Sequence, residues 1–245
     1  MTRCLGKLAP RHDARTFKLC ALLGPSLPAP PPSVDWTKPL PADLGEMAND
    51  RLGDCTCAGA AHLVQTWTGN RGDMLTIADD AIVAAYSAVA GYTPNDPTTD
   101  NGAALLDVLN FWRQTGIGGH QIGAFAAVDH ANVVEVKQAC DLFGGLYTGV
   151  QLPQSAMDAT DNGAAWSDVD DTNILGGHCV ALVGYDADGV TYVTWGKRQR
   201  ATWAWVERYA DEMYALIAAD WVSGAAEAPS GFDLAQLQAD LGALR

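Results

Sequence analysis

The alternation of apolar and polar positions divides the chain into two stretches of different character. A polar segment, Asn49 to Asp54, gives way to small and apolar residues from Cys55 through Leu63, Val64 and Trp67. This predicts a helix beginning at Cys55, with Asp54 as its N-cap. Gly69-Asn70-Arg71-Gly72 stops it. Ala78, Ala81, Ile82, Ala85, Tyr86 and Val89 recur at helical spacing and predict a second helix over Ile77 to Val89. After a polar loop from Gly91 to Gly102 comes a third helix, Leu105 to Gln114, with Leu105, Leu106, Leu109 and Trp112 on its apolar face and Gly116 ending it. From Ile122 the period changes. Gly123 to Val128 reads as a strand, Val133 to Phe143 as a helix halted at Gly144-Gly145, and Leu146 to Pro153 as a strand ended by proline. Asp158 to Asp171 reads as a polar loop around Trp166. His178 to Gly184 and Val190 to Trp195 read as paired strands about the turn Asp186-Ala187-Asp188-Gly189. Trp203 to Trp221 reads as a helix, or a helix and then a strand.

The fold class expected is therefore α+β. A helical lobe over about 49–121 precedes a β-rich, barrel-like lobe over about 122–222, with chemistry in the cleft between them. Together they form one domain, 33–222, entered by a short strand at Val34 to Trp36. Residues 1–32 form a proline-rich arm that lies on its own domain or reaches a neighbouring subunit. In the tail, 223–245, Leu234, Leu237, Leu241 and Leu244 mark one face of an amphipathic helix that docks on the domain or makes a subunit contact.

Composition narrows the function classes. The chain has 245 residues, enough for a substantial core, and 48% hydrophobic residues, as in a globular protein. A net charge of −14 argues against nucleic acid or an anionic membrane surface as partner. No apolar stretch is long enough to span a bilayer and no secretory signal is visible. The six cysteines suggest no dense disulfide framework, so mostly free thiols in a cytoplasmic or virion setting are expected.

Cys55 carries the first candidate chemistry. At a helix start it meets unpaired N–H groups and the positive end of the helix dipole, which favour the nucleophilic thiolate. A carboxylate at Asp54 opposes that ionisation. His178 stands at the entrance of a buried strand far downstream. Four motifs then fall in one order: Pro32-Ser33-Val34-Asp35-Trp36, Leu52-Gly53-Asp54-Cys55, Gly176-Gly177-His178 running to Gly184-Tyr185, and Trp195-Gly196. In these motifs the chain resembles the papain-like (C1-type) cysteine peptidases, bacterial and phage members in particular, over roughly Pro32 to Trp221. The separation 178 − 55 = 123 residues is close to the family's spacing of about 130–150.

The resemblance implies a helical lobe facing a β-rich lobe, Cys55 as nucleophile and His178 as general base and acid. The family's oxyanion glutamine falls on Asn49, one methylene shorter. The family's imidazole-orienting asparagine falls on Val193, which accepts no hydrogen bond; Thr194 supplies an acceptor if the register slips by one. Trp195 then shields the pair from water. Cys57 lies about 200° round the helix, faces the interior, and is the alternative nucleophile. His62 reads as core or cleft wall. Cys55, Cys57, His62 and His178 lack the second couple that a zinc site shows, so neither metal nor cofactor is expected. In secreted relatives the segment before the Val-Asp-Trp motif is an inhibitory propeptide; here it reads as too short and too proline-rich for that role. Two functions follow. One is a thiol hydrolase acting on a peptide or protein substrate. The other is a catalytically weak or inactive structural or binding protein, such as a phage virion component, that self-associates or meets a capsid partner through arm and tail.

Overall fold

The computed structural model describes residues 3–22, 29–221 and 230. In chain order its elements are β1 (Phe17–Lys18), α1 (Leu19–Leu22), β2 (Val34–Asp35), α2 (Cys55–Asn70), α3 (Asp79–Ala90), a 3-10 turn (Pro97–Thr99) and α4 (Leu105–Gln114). There follow β3 (Ile122–Ala127), α5 (Val133–Phe143), β4 (Leu146–Pro153), α6 (Gln154–Asp161), β5 (Ile174–Tyr185), β6 (Gly189–Thr194), β7 (Lys197–Thr202), α7 (Trp203–Tyr209) and β8 (Ala210–Ala218). The tail stripe Leu234 to Leu244 lies outside the described residues.

One helix organises the first lobe. Every residue of α2 from Cys55 to Gly69 is buried, as expected of a helix that is small or apolar all round. It packs across β5, β4 and β6, with α3 and α4 beside it. The expected cap is absent: the Asp54 carboxylate makes no capping hydrogen bond. Its backbone carbonyl accepts from Cys57 and Ala58 instead, and both carboxylate oxygens are buried without a partner. Side-chain caps do form elsewhere, at Asn132 for α5 and Thr202 for α7.

The strands form one sheet in the order β1-β3-β8-β4-β5-β6-β7, with β2 added alongside β5. All pairings are antiparallel except β1 with β3. The period-2 rule divides its side chains between two cores. Along β5, Cys179, Ala181 and Val183 face the α2 side, while Val180 and Leu182 join the second core with Trp166, Trp205 and Tyr209. Helices α5 and α7 cover that second face.

One expected loop is partly helical. Residues Gln154–Asp161 form α6, with only Ala156 fully buried, so its polar sequence carries almost no apolar stripe. Thr160 ties it down, donating to the Ala156 carbonyl at 2.8 Å and accepting from the Trp166 indole at 2.8 Å. The second helix begins at Asp79 rather than Ile77, with Ala78 extended as its cap. The stretch from Trp203 resolves as helix, then strand.

Candidate functional site

Helix α2 packs across strand β5, and its first residue lies beside Cys179 of that strand. Cys55 opens α2 and is fully buried. Its sulfur lies against the backbone N–H groups of Cys179 and Gly6. His178 precedes Cys179 on β5 and is 1% exposed. Its Nε2 lies 2.6 Å from the Thr194 hydroxyl, and its ring stacks on Trp195 at 4.3 Å between centroids and 14° between planes. Nδ1 is buried without a partner, so among the described residues no hydrogen bond joins this imidazole to the sulfur. His62, two turns into α2, is close enough for its charge to oppose that of His178.

Thr194 rather than Val193 thus meets the imidazole; Val193 is fully buried in the first core. A turn makes this possible: Trp195 has φ of 46° and Gly196 of 69°, so β6 ends by folding the indole back over the histidine. A hydroxyl both donates and accepts. Unlike an amide carbonyl, it does not fix which ring nitrogen carries the proton.

His62 is held differently. Gln65 donates its amide to the Leu44 carbonyl at 2.9 Å and to Thr76 Oγ1 at 3.0 Å, so its oxygen is left to accept from His62 Nδ1 at 3.0 Å. Cys57 is fully buried among core residues and burial drives its pKa far up.

The arm lies on its own domain and enters the cleft. Residues 3–8 run between the two lobes. Lys7 donates its backbone N–H to the Gly177 carbonyl at 3.0 Å, Leu8 donates to Ala103 at 3.0 Å, and Ala103 donates to Gly6 at 2.8 Å. Cys4 donates to the Asn49 carbonyl at 3.1 Å, while Asn49 Nδ2 donates to the carbonyls of Cys4 at 3.2 Å and Leu52 at 2.9 Å. Arg3 pairs with Asp161 and lays its guanidinium over Trp195, 5.3 Å from the ring centroid. No helical scaffold is needed to hold so short a segment. Backbone meets backbone: a Cβ at Gly6 would lie 1.7 Å from the Gly53 oxygen, and one at Gly177 2.3 Å from the Lys7 oxygen.

Burial sets the protonation states. Desolvation pushes the Cys55 thiol up to about 12 and the His178 imidazole down to about 3, so both are neutral near pH 7. His62 falls to about 4 by burial, and Asp54 rises to about 8 by burial. The six cysteines are unpaired thiols. Among the described residues no group of three or more His, Cys, Asp or Glu is arranged to hold a metal, and no helix is long and apolar enough to cross a membrane.

A helical lobe built on one central buried helix, set against a mostly antiparallel sheet, is the papain-like α+β fold. Its structural neighbours are papain-like cysteine proteases. Xylellain, a cysteine protease from Xylella fastidiosa, matches with a TM-score of 0.67 and 16% identity, over 88% of this chain and 96% of that one. Digestive procathepsin L 3 of Tenebrio molitor larval midgut matches at 0.58 with 10% identity, over 88% and 75%. The Carica candamarcensis cysteine protease CMS1MS2, solved in complex with E-64, matches at 0.52 with 14% identity, over 76% and 98%. No family model and no curated protein matches the sequence.

Proposed function

We propose that the protein is a papain-type cysteine hydrolase of peptide or amide bonds, held in a covered state by its own residues 3–8. One observation carries this reading. A peptide segment already lies across the candidate site, bonded through its backbone to Gly177 beside His178 on one wall and to Ala103 on the other. A cleft with these walls accepts extended peptide.

In the uncovered state Cys55 passes its proton to His178 Nδ1 and attacks the acyl carbon. The Cys55 backbone N–H and the Asn49 amide, which here donates to the Cys4 carbonyl, hold the oxyanion. The carbon–nitrogen bond breaks, His178 protonates the leaving amine, and water hydrolyses the thioester with His178 as base. Thr194 steadies the imidazole from Nε2 and Trp195 keeps water off it.

A second reading is a papain-fold binding or structural protein of low activity. The hydroxyl of Thr194, which leaves the tautomer open, favours it. Activity against a fluorogenic peptide mixture, measured on the full chain after limited proteolysis of the arm, decides between them. Hydrolysis that is lost in both Cys55→Ser and His178→Ala supports the enzyme. No hydrolysis after arm cleavage supports the binding protein.

A further inference from the structure

Among the described residues of the arm, Lys7 is the cation whose side chain is wholly buried. Its side chain is 0% exposed, with Nζ 2.8 Å from Asp211 Oδ2 and 3.2 Å from Glu212 Oε1. Both acids stand at the start of β8. Each is held in place: Gln151 donates to the same Asp211 oxygen at 2.5 Å, and Tyr214 donates to Glu212 Oε2 at 3.0 Å. Glu212 is 7% exposed, and its Oε1 makes no hydrogen bond beyond facing the ammonium. A buried carboxyl so placed keeps its charge only opposite a cation.

The floor of the pocket is cut for a linear side chain. Gly149 of β4 lies beneath the lysine stem, where a Cβ would come within 2.2 Å of Lys7 Cε. A cavity of about 240 Å³, lined in part by Asp211, Glu212, Met213 and Tyr214, opens beside it. The backbone of Lys7 is meanwhile bridged to both cleft walls, at Gly177 and Ala103. The lysine therefore sits at a fixed register relative to the candidate site.

We propose that the pocket formed by Gly149, Asp211 and Glu212 selects peptides carrying a lysine at the register that Lys7 now occupies. This rests on the reading of the cleft as a peptide site and names the peptide it takes. Lys7 is the internal occupant that an incoming lysine replaces. An uncharged side chain of the same length leaves two carboxyl groups facing each other without a counter-charge, so selectivity comes from charge more than from shape.

The test uses the full chain carrying Lys7→Glu, which sets a third carboxylate against the pair and expels the arm, with Lys7→Ala as a milder second variant. Circular dichroism establishes that each is folded. The probe is fluorescein-labelled Leu-Gly-Lys-Leu amide, compared with the same peptide bearing norleucine in place of lysine, with binding read by anisotropy. The lysine peptide is expected to bind at least about tenfold tighter, and Asp211→Asn with Glu212→Gln is expected to abolish the difference. Equal binding of the two peptides by a folded variant overturns the proposal. Failure here is distinct from failure of the hydrolase reading. Lysine-dependent binding without cleavage upholds the pocket and removes the enzyme, while cleavage indifferent to lysine does the reverse.

Discussion

Replacing Gly6 by alanine is the sharpest perturbation of the covered site. The new Cβ would fall 1.7 Å from the Gly53 oxygen and 2.3 Å from its carbonyl carbon, contacts that only displacement of the arm relieves. The arm touches the Cys55 sulfur through the Gly6 N–H, so its departure opens the thiol to water and relieves burial, against the smaller loss of the Gly6 N–H and the Lys7 charge, which favour thiolate. At about 12 the thiol is almost wholly protonated at pH 7; a return to the ordinary 9.0 raises its thiolate fraction about a thousandfold. The helix N-terminus adds to that. The assay is alkylation by iodoacetamide at pH 7, followed by mass spectrometry of the cysteine-bearing peptides, with the exposed Cys20 as internal standard. Cys55 of the unaltered protein is expected to react far more slowly than Cys20, and in Gly6→Ala to match or overtake it. If Gly6→Ala folds and its Cys55 stays as inert as before, the arm is not what silences the thiol. If Cys55 of the unaltered chain already reacts as fast as Cys20, the burial argument fails outright.

Other consequences are measurable. Thr194→Val strands the buried His178 Nε2 and is expected to lower unfolding stability by about 1–3 kcal/mol in urea; an unchanged midpoint would show that the hydroxyl supports nothing. Both buried histidines are held below their ordinary 6.5, so each contributes stability that is present above pH 6.5 and lost as pH falls toward about 4 for His62 and about 3 for His178. Urea midpoints at pH 7, 6 and 5 should trace this limb, at no more than about 1.4 kcal/mol per pH unit for each group, and His62→Gln should make it shallower by one proton. Asp54 has the opposite sign. Raised from 3.8 to about 8, its contribution is full below pH 3.8 and is lost as pH rises from there to about 8, so Asp54→Asn should hold its stability between pH 6.5 and 8 where the parent declines. A parallel decline in both proteins would refute that assignment.

What local pattern controls was legible in the residues. Cys55 opening α2, the bounds of α4, α5 and β4, and the hairpin of β5 with β6 all follow from periodicity and from turn residues that stop it. What depends on distant partners was not. Helix α6 buries one side chain fully and owes its place to Trp166 reaching Thr160, a contact that composition does not announce. Asp54 looked like a cap because aspartate before a helix usually is one, yet burial turns its carboxyl away from that work. The meeting of Thr194 with His178 needed the positive φ of Trp195, which no rule for a non-glycine residue foresees. The course of the arm was the least legible of all. Proline content left open whether the arm lies on its own domain or on a neighbour, while the grip comes from glycines of both lobes and from a lysine whose partner Asp211 is 204 residues away.

Strand β8 lies in the interior of the sheet, between β3 and β4, and it carries both acids that hold Lys7. A ribosome delivers the arm and the thiol first, and that strand only after every other described strand has been made. Until it arrives the sheet is split in two and Lys7 lacks both of its acids. Seating of Lys7 is thus among the last events in the birth of the molecule.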